Sequence, residues 1–123
     1  MEPQVTGNQA VPIDVQSLHE RCLGDAAFVR EVLGIFKRQG VTFVANLRRN
    51  LSDGDAVGLA KSAHALKGSA ANISACALSA LSGELEASAA AISPAEGQVR
   101  MAAIATEFER VIAFIDAMTA DSE

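Results

Sequence analysis

His64, Lys67 and Gly68 place an imidazole, an ammonium and a missing side chain on adjoining positions of one helical turn. At pH 7 an ordinary imidazole, with a pKa of about 6.5, is largely neutral, so one ring nitrogen keeps a lone pair that can attack an electrophile. A phosphoryl group accepted there would carry about two negative charges. Lys67, at i+3 from His64, can reach that group and offset part of its charge. Gly68, at i+4, costs about 1 kcal/mol relative to alanine in a helix interior. Such a cost points to something that must approach the backbone closely. The three supply a nucleophile, a counter-charge and a docking space.

Chemistry of this kind needs a rigid, outward-facing helix, and the flanking sequence predicts one. A helix beginning near Ala56 turns Leu59, Ala63, Leu66, Ala70 and Ile73 to one side. On a wheel at 100° per residue that stripe spans roughly 80°, and His64 falls about 140° from Leu59, pointing to solvent. Ser52-Asp53-Gly54-Asp55 before it reads as a turn, because Gly54 tolerates positive φ and Asp55 can cap the helix that begins at Ala56.

The remaining chain is helical almost throughout. Asp14 can cap a short helix with Val15, Leu18 and Cys22 inward and Gly24 just past its end. Asp25 caps a long helix whose stripe is Val29, Val32, Leu33, Phe36, Phe43, Val44, Leu47 and Leu51, weakened locally by Gly34 and Gly40. A fourth helix starts around Ser74 or Ala75, with Leu78, Leu81, Leu85 and Ile92 on its stripe and the Ala-rich 87–91 at its end. Ser93-Pro94-Ala95-Glu96 is the clearest boundary, with Ser93 as cap, Pro94 at the first helical position and Glu96 placed for a capping box. The fifth helix carries Met101, Ile104, Phe108, Val111, Ile115 and Met118, and residues 119–123 should fray. Nothing alternates with period two. The predicted fold is all-α: an antiparallel four-helix bundle with an additional short N-terminal helix, over 13–120, behind a flexible tail at 1–12.

Composition excludes several function classes. The 123 residues, half of them hydrophobic, make one domain that needs no disulfide or metal to fold. A net charge of −5 disfavours nucleic acid and anionic membranes as partners. Cys22 and Cys76 are too scattered for a metal site and read as small core hydrophobes in a reducing compartment. The N-terminus lacks the basic and apolar regions of a signal peptide, and no apolar run is long enough to span a bilayer. The expected location is the cytoplasm. Met1 and the short tails favour a free-standing protein, with a monomer as the default state.

Ala63-His64-Ala65-Leu66-Lys67-Gly68-Ser69-Ala70 resembles the phosphorylation signature of histidine-containing phosphotransfer (HPt) domains. Gly24, Asp25 and Phe28 upstream, and Gly54-Asp55 before the helix, are also similar to that family, so the likeness covers roughly residues 13–118. A bare His-x-x-Lys-Gly arises by chance at on the order of one in 10⁴ positions, so the flanks and the outward-facing helix carry much of the weight. The resemblance implies that His64 accepts the phosphoryl group through Nε2, that Lys67 supports it and that Gly68 leaves room for the partner. It also implies that Glu86, 22 residues beyond His64, orients the imidazole by accepting Nδ1–H. Ser69 and Asn72 take no assigned role, and the alanines at 60, 65 and 71 fit a low-relief docking surface. The implied partners are receiver domains of response regulators and hybrid sensor kinases, which would carry Mg²⁺ and the acceptor aspartate. No cofactor is expected in this chain and no autonomous kinase or phosphatase activity.

The function this implies is a phosphohistidine carrier relaying phosphoryl groups between receiver aspartates in a multistep two-component phosphorelay. Its rival is an adaptor bundle that binds receiver or kinase domains without being phosphorylated. A small enzyme using His64 as general base ranks behind both, because no second catalytic group shares the face. Taken singly, His64 and Lys67 are each compatible with an ordinary solvated side chain, and Glu86 with a solvated carboxylate. His19 reads as an exposed or partly packed histidine. Ile35 and Val41 lie off the long helix's stripe, where they either pack against the first helix and the bundle edge or join an apolar patch near His64.

Overall fold

A computed structural model describes residues 11–120. Five helices occur among them: α1 (Val15–Arg21), α2 (Ala26–Asp53), α3 (Ala56–Asn72), α4 (Cys76–Ser88) and α5 (Pro94–Ala120). Short turns join successive helices, so α2 to α5 run alternately up and down. Each of the four packs on two others, α3 most extensively on α4 and α2, and α5 closes the bundle against α4 and α2. The fold is the predicted all-α bundle with a short helix added at its start.

Side-chain caps define four of the five helix starts, α4 alone beginning after Ala75 without one. The carboxylates of Asp14, Asp25 and Asp55 accept hydrogen bonds from the backbone N–H of Ser17, Phe28 and Gly58 at 3.1, 3.1 and 2.8 Å. Each satisfies a donor that the first helical turn leaves without a partner. Ser93 Oγ does the same for the Glu96 N–H at 3.1 Å. The reciprocal half of that capping box differs from expectation: the Glu96 carboxylate turns to Arg100, one helical turn on, at 3.0 Å. Gly54 closes α2 in the left-handed conformation at φ 66°, as its place in the turn predicts.

The core is a continuous apolar cluster along the predicted stripes, with Leu33, Phe36, Leu47, Leu66, Leu78, Leu85, Met101, Ile104 and Ile115 among its members. Gly40 is part of this packing. The Phe108 ring lies over it, so close that a Cβ there would stand 2.5 Å from Cε1, and the same ring meets Phe36 at 5.8 Å between centroids. Gly40 therefore sets the α2–α5 approach at this level. Gly40→Ala is expected to destabilise the domain by about 1–3 kcal/mol, the usual cost of overpacking, despite alanine's higher helix propensity. Urea denaturation checks it, and an unchanged or higher midpoint would contradict the packing account.

Several local expectations are corrected. Val15 is exposed, and Ile13 takes the buried place. With Asp14 as cap, Ile13 precedes the helix and Leu18 is its fourth residue, the two positions of a hydrophobic staple. Ser74 does not start α4. It adopts φ 60° in the α3–α4 turn, where its carbonyl accepts from the Asp14 N–H at 3.0 Å and its hydroxyl donates to Ser17 Oγ at 2.9 Å. These bonds lay α1 across that turn. Cys22 is buried but Cys76, the first residue of α4, is exposed, so it is no core hydrophobe. Ile92 lies beyond α4, which ends at Ser88, and is partly buried in the α4–α5 connection. Thr119 and Ala120 complete α5 rather than fray, with Thr119 Oγ1 donating to the Ile115 carbonyl at 2.9 Å. Of the tail expected at 1–12, residues 1–10 lie outside the described residues, as do 121–123. Val11 is exposed and Pro12 buried.

Candidate functional site

The site is built across α3 and α4. Leu59, Ala63, Leu66 and Ala70 anchor the inner face of α3, and the helical period then fixes what the outer face presents. His64 stands near the middle of that face with 67% of its side chain exposed. Leu78, Ser82 and Leu85 turn one side of α4 to the core, which leaves Glu86 at the α3–α4 boundary. The Glu86 carboxylate spans both functional groups of α3. Its Oε2 lies 2.9 Å from His64 Nδ1, and its Oε1 lies 2.8 Å from Lys67 Nζ.

The protonation pattern follows from these contacts. The Lys67 ammonium, hydrogen-bonded to Glu86, holds the carboxyl below its ordinary value; His64 adds to this and partial desolvation opposes it. At neutral pH Glu86 is therefore a carboxylate, which can only accept. The hydrogen on the shared edge must sit on His64 Nδ1. In the neutral imidazole Nε2 then carries the lone pair. One acidic side chain thus fixes the tautomer, restrains the ring and keeps a cation beside it.

Gly68 adds access. A Cβ built there would meet nothing within 4 Å, so this step in the helix surface is open to whatever arrives beside the imidazole. On the α2 flank of α3, Ser69 and Asn72 help line a shallow cleft of about 350 Å³ between α3, α2 and α1, walled partly by Phe28, Ile35 and Gln39. Phe28 and Ile35 are 42% and 37% exposed. Ile35 thus lines this cleft beside the end of α1, and His64, Lys67 and Gly68 are not among the residues that wall it. Val41 takes no part in the cleft and is 62% exposed on another side of α2. His19 is half-buried on α1, in a separate cleft with Val29, Leu33 and Met118. It is not part of the constellation.

The profile of the Hpt domain family matches residues 31–119. The chain belongs to the Hpt domain family. No curated protein and no solved structure matches it. Hpt domains are phosphocarrier modules rather than enzymes; they take part in histidine phosphotransfer within phosphorelays and interact there with receiver domains. The match begins inside α2 and runs almost to the end of α5, so it contains His64, Lys67, Gly68 and Glu86. No described helix of this Hpt domain is long and apolar enough to cross a membrane. Among the described residues no three His, Cys, Asp or Glu side chains gather as metal ligands.

Two residues of this Hpt domain touch the site without being singled out by sequence. Ser79 Oγ donates to the Lys67 carbonyl at 3.1 Å. The Lys67 stem lies against Gly83, where a Cβ would be 3.1 Å from Lys67 Cδ. Their available signal was spacing: Ser79, Gly83 and Glu86 follow one another at four and three residues, one line along α4.

Proposed function

We propose that this chain is a phosphohistidine carrier that passes phosphoryl groups between receiver-domain aspartates in a multistep two-component phosphorelay. The observation that carries the reading is the exposed His64 ring, held through Nδ1 by Glu86 so that Nε2 is left as the nucleophile. In the transfer, the Nε2 lone pair attacks the phosphorus of a receiver's aspartyl phosphate. The Nε2–P bond forms as the aspartyl O–P bond breaks, and the departing electron pair restores the aspartate carboxylate. With Nδ1 still protonated, the phosphorylated ring becomes cationic, and the Glu86 carboxylate stabilises that charge as a buried Asp stabilises the imidazolium of a Ser–His–Asp triad. Lys67, already within a turn, offsets the charge of the incoming phosphoryl oxygens.

The remaining requirements fall on the partner. In-line phosphoryl transfer is mainly positioning and electrostatic stabilisation, and the receiver supplies its aspartate and Mg²⁺. This chain then needs no cofactor and no kinase or phosphatase activity of its own. The open step at Gly68 suits a receiver surface brought over His64. A monomer in the cytoplasm satisfies these demands.

Incubation with a phosphorylated receiver domain and Mg²⁺ tests the proposal. The expected result is label on this chain that survives base and is lost in acid, as a phosphoramidate requires. Stable binding to receivers without label would replace the carrier by the adaptor reading.

A further inference from the structure

We propose that α4 forms a seat for Lys67 and that Gly83 is a positioning residue within it, a role that rests on the carrier reading above. Lysine carries a long, rotamer-rich stem, and a free surface lysine spends much of its time away from any one partner. Lys67 is held at three levels by residues of α4. Its carbonyl accepts from Ser79 Oγ, its stem crosses Gly83, and its ammonium meets Glu86 Oε1 at 2.8 Å. The same carboxylate holds His64 Nδ1, so the seat delivers a cation to the neighbourhood of the nucleophile before any phosphoryl group arrives.

Gly83 is what lets the stem lie flat. A Cβ there would sit 3.1 Å from Lys67 Cδ, tighter than an ordinary contact by a few tenths of an ångström. The atom it meets belongs to a flexible side chain, so Lys67 yields rather than either helix. The ammonium then lifts from Glu86, and the carboxylate loses the contact that most lowers its pKa. Glycine is otherwise a poor choice in mid-helix. Filling it should strengthen the fold while weakening the site, a pair of effects that general structural damage cannot produce.

The test is Gly83→Ala in the intact chain, with three readouts. Its melting temperature should rise above wild type. The ¹³C-detected titration midpoint of the Glu86 carboxyl should move up, toward that found in Lys67→Ala. Transfer from a phosphorylated receiver should slow by about threefold or more, against about tenfold or more for Lys67→Ala, which loses a charge-assisted contact outright. In a Lys67→Ala background, Gly83→Ala should add nothing, because the stem it displaces is gone. Wild-type transfer and an unmoved Glu86 midpoint in Gly83→Ala would overturn the seat and leave the carrier reading standing. So would a transfer defect that persists in the Lys67→Ala background. If the wild-type chain takes no label from any competent receiver, the carrier reading fails, and with it Gly83's role in transfer. The Glu86 midpoint then decides by itself whether the seat exists.

Discussion

His64→Gln takes up no base-stable, acid-labile label from a phosphorylated receiver, a fall of at least about 100-fold, because the covalent acceptor itself is removed. Two histidines occur in the chain, which makes His19→Gln the matched control; it keeps wild-type labelling, since the half-buried His19 stands apart from Lys67 and Glu86. Stability should barely respond to His64→Gln. The ring is 67% exposed, Glu86 retains its contact with Lys67, and exposed substitutions usually shift stability by about 0.5 kcal/mol or less. Circular dichroism and thermal melting alongside the labelling assay therefore separate loss of the acceptor from loss of the fold. Label that persists in His64→Gln would reject His64 as the acceptor, whatever its geometry.

The positions that sequence made legible share one property: their roles follow from a single helix. The apolar stripe of α3 determines where His64 points, and residues at i+3 and i+4 must then lie beside it. Asp14, Asp25 and Asp55 are legible as caps for the same reason, since each acts on backbone three residues away. Positions whose roles depend on a second helix were not. Gly40 reads as a weak point within α2, and only the Phe108 ring from α5 shows it as a close approach. Gly83 has no evident purpose within α4 until the Lys67 stem crosses it. Glu86 is intermediate: periodicity does not link it to His64, but family resemblance does, because the α3–α4 turn fixes the offset between the helices. That turn relies on Ser74 at φ 60°, a conformation that serine seldom adopts and that its type does not announce. Val15 failed as a core position because it opens its helix, where Ile13 fills the buried place instead, and Cys76 because its residue type was the sole ground for burying it.

Gly68→Gln should lower the efficiency of phosphoryl transfer by about tenfold or more, equivalent to about 1.4 kcal/mol, while leaving the bundle at least as stable as wild type. The two halves of this expectation have separate causes. Within the chain nothing resists a side chain at this position, because a Cβ would find open space. Replacing glycine by a straight-chain residue in mid-helix also gains up to about 1 kcal/mol in propensity. A receiver reaching Nε2 must bring its aspartate to bonding distance of a ring carried one turn away on the same face, so it must pass over this step. Glutamine fills the step with a long polar side chain that must be displaced or ordered before the phosphorus can align. Gly68→Ala should fall between the two, since a single methyl group narrows the step without closing it. The defect belongs mainly in the apparent affinity for the receiver, read as a raised KM with a smaller change in kcat, because the imidazole, Glu86 and Lys67 are untouched. Equal transfer efficiency in wild type, Gly68→Ala and Gly68→Gln would mean that receivers approach His64 from the α4 side, over Lys67, and that glycine at this position has no part in docking.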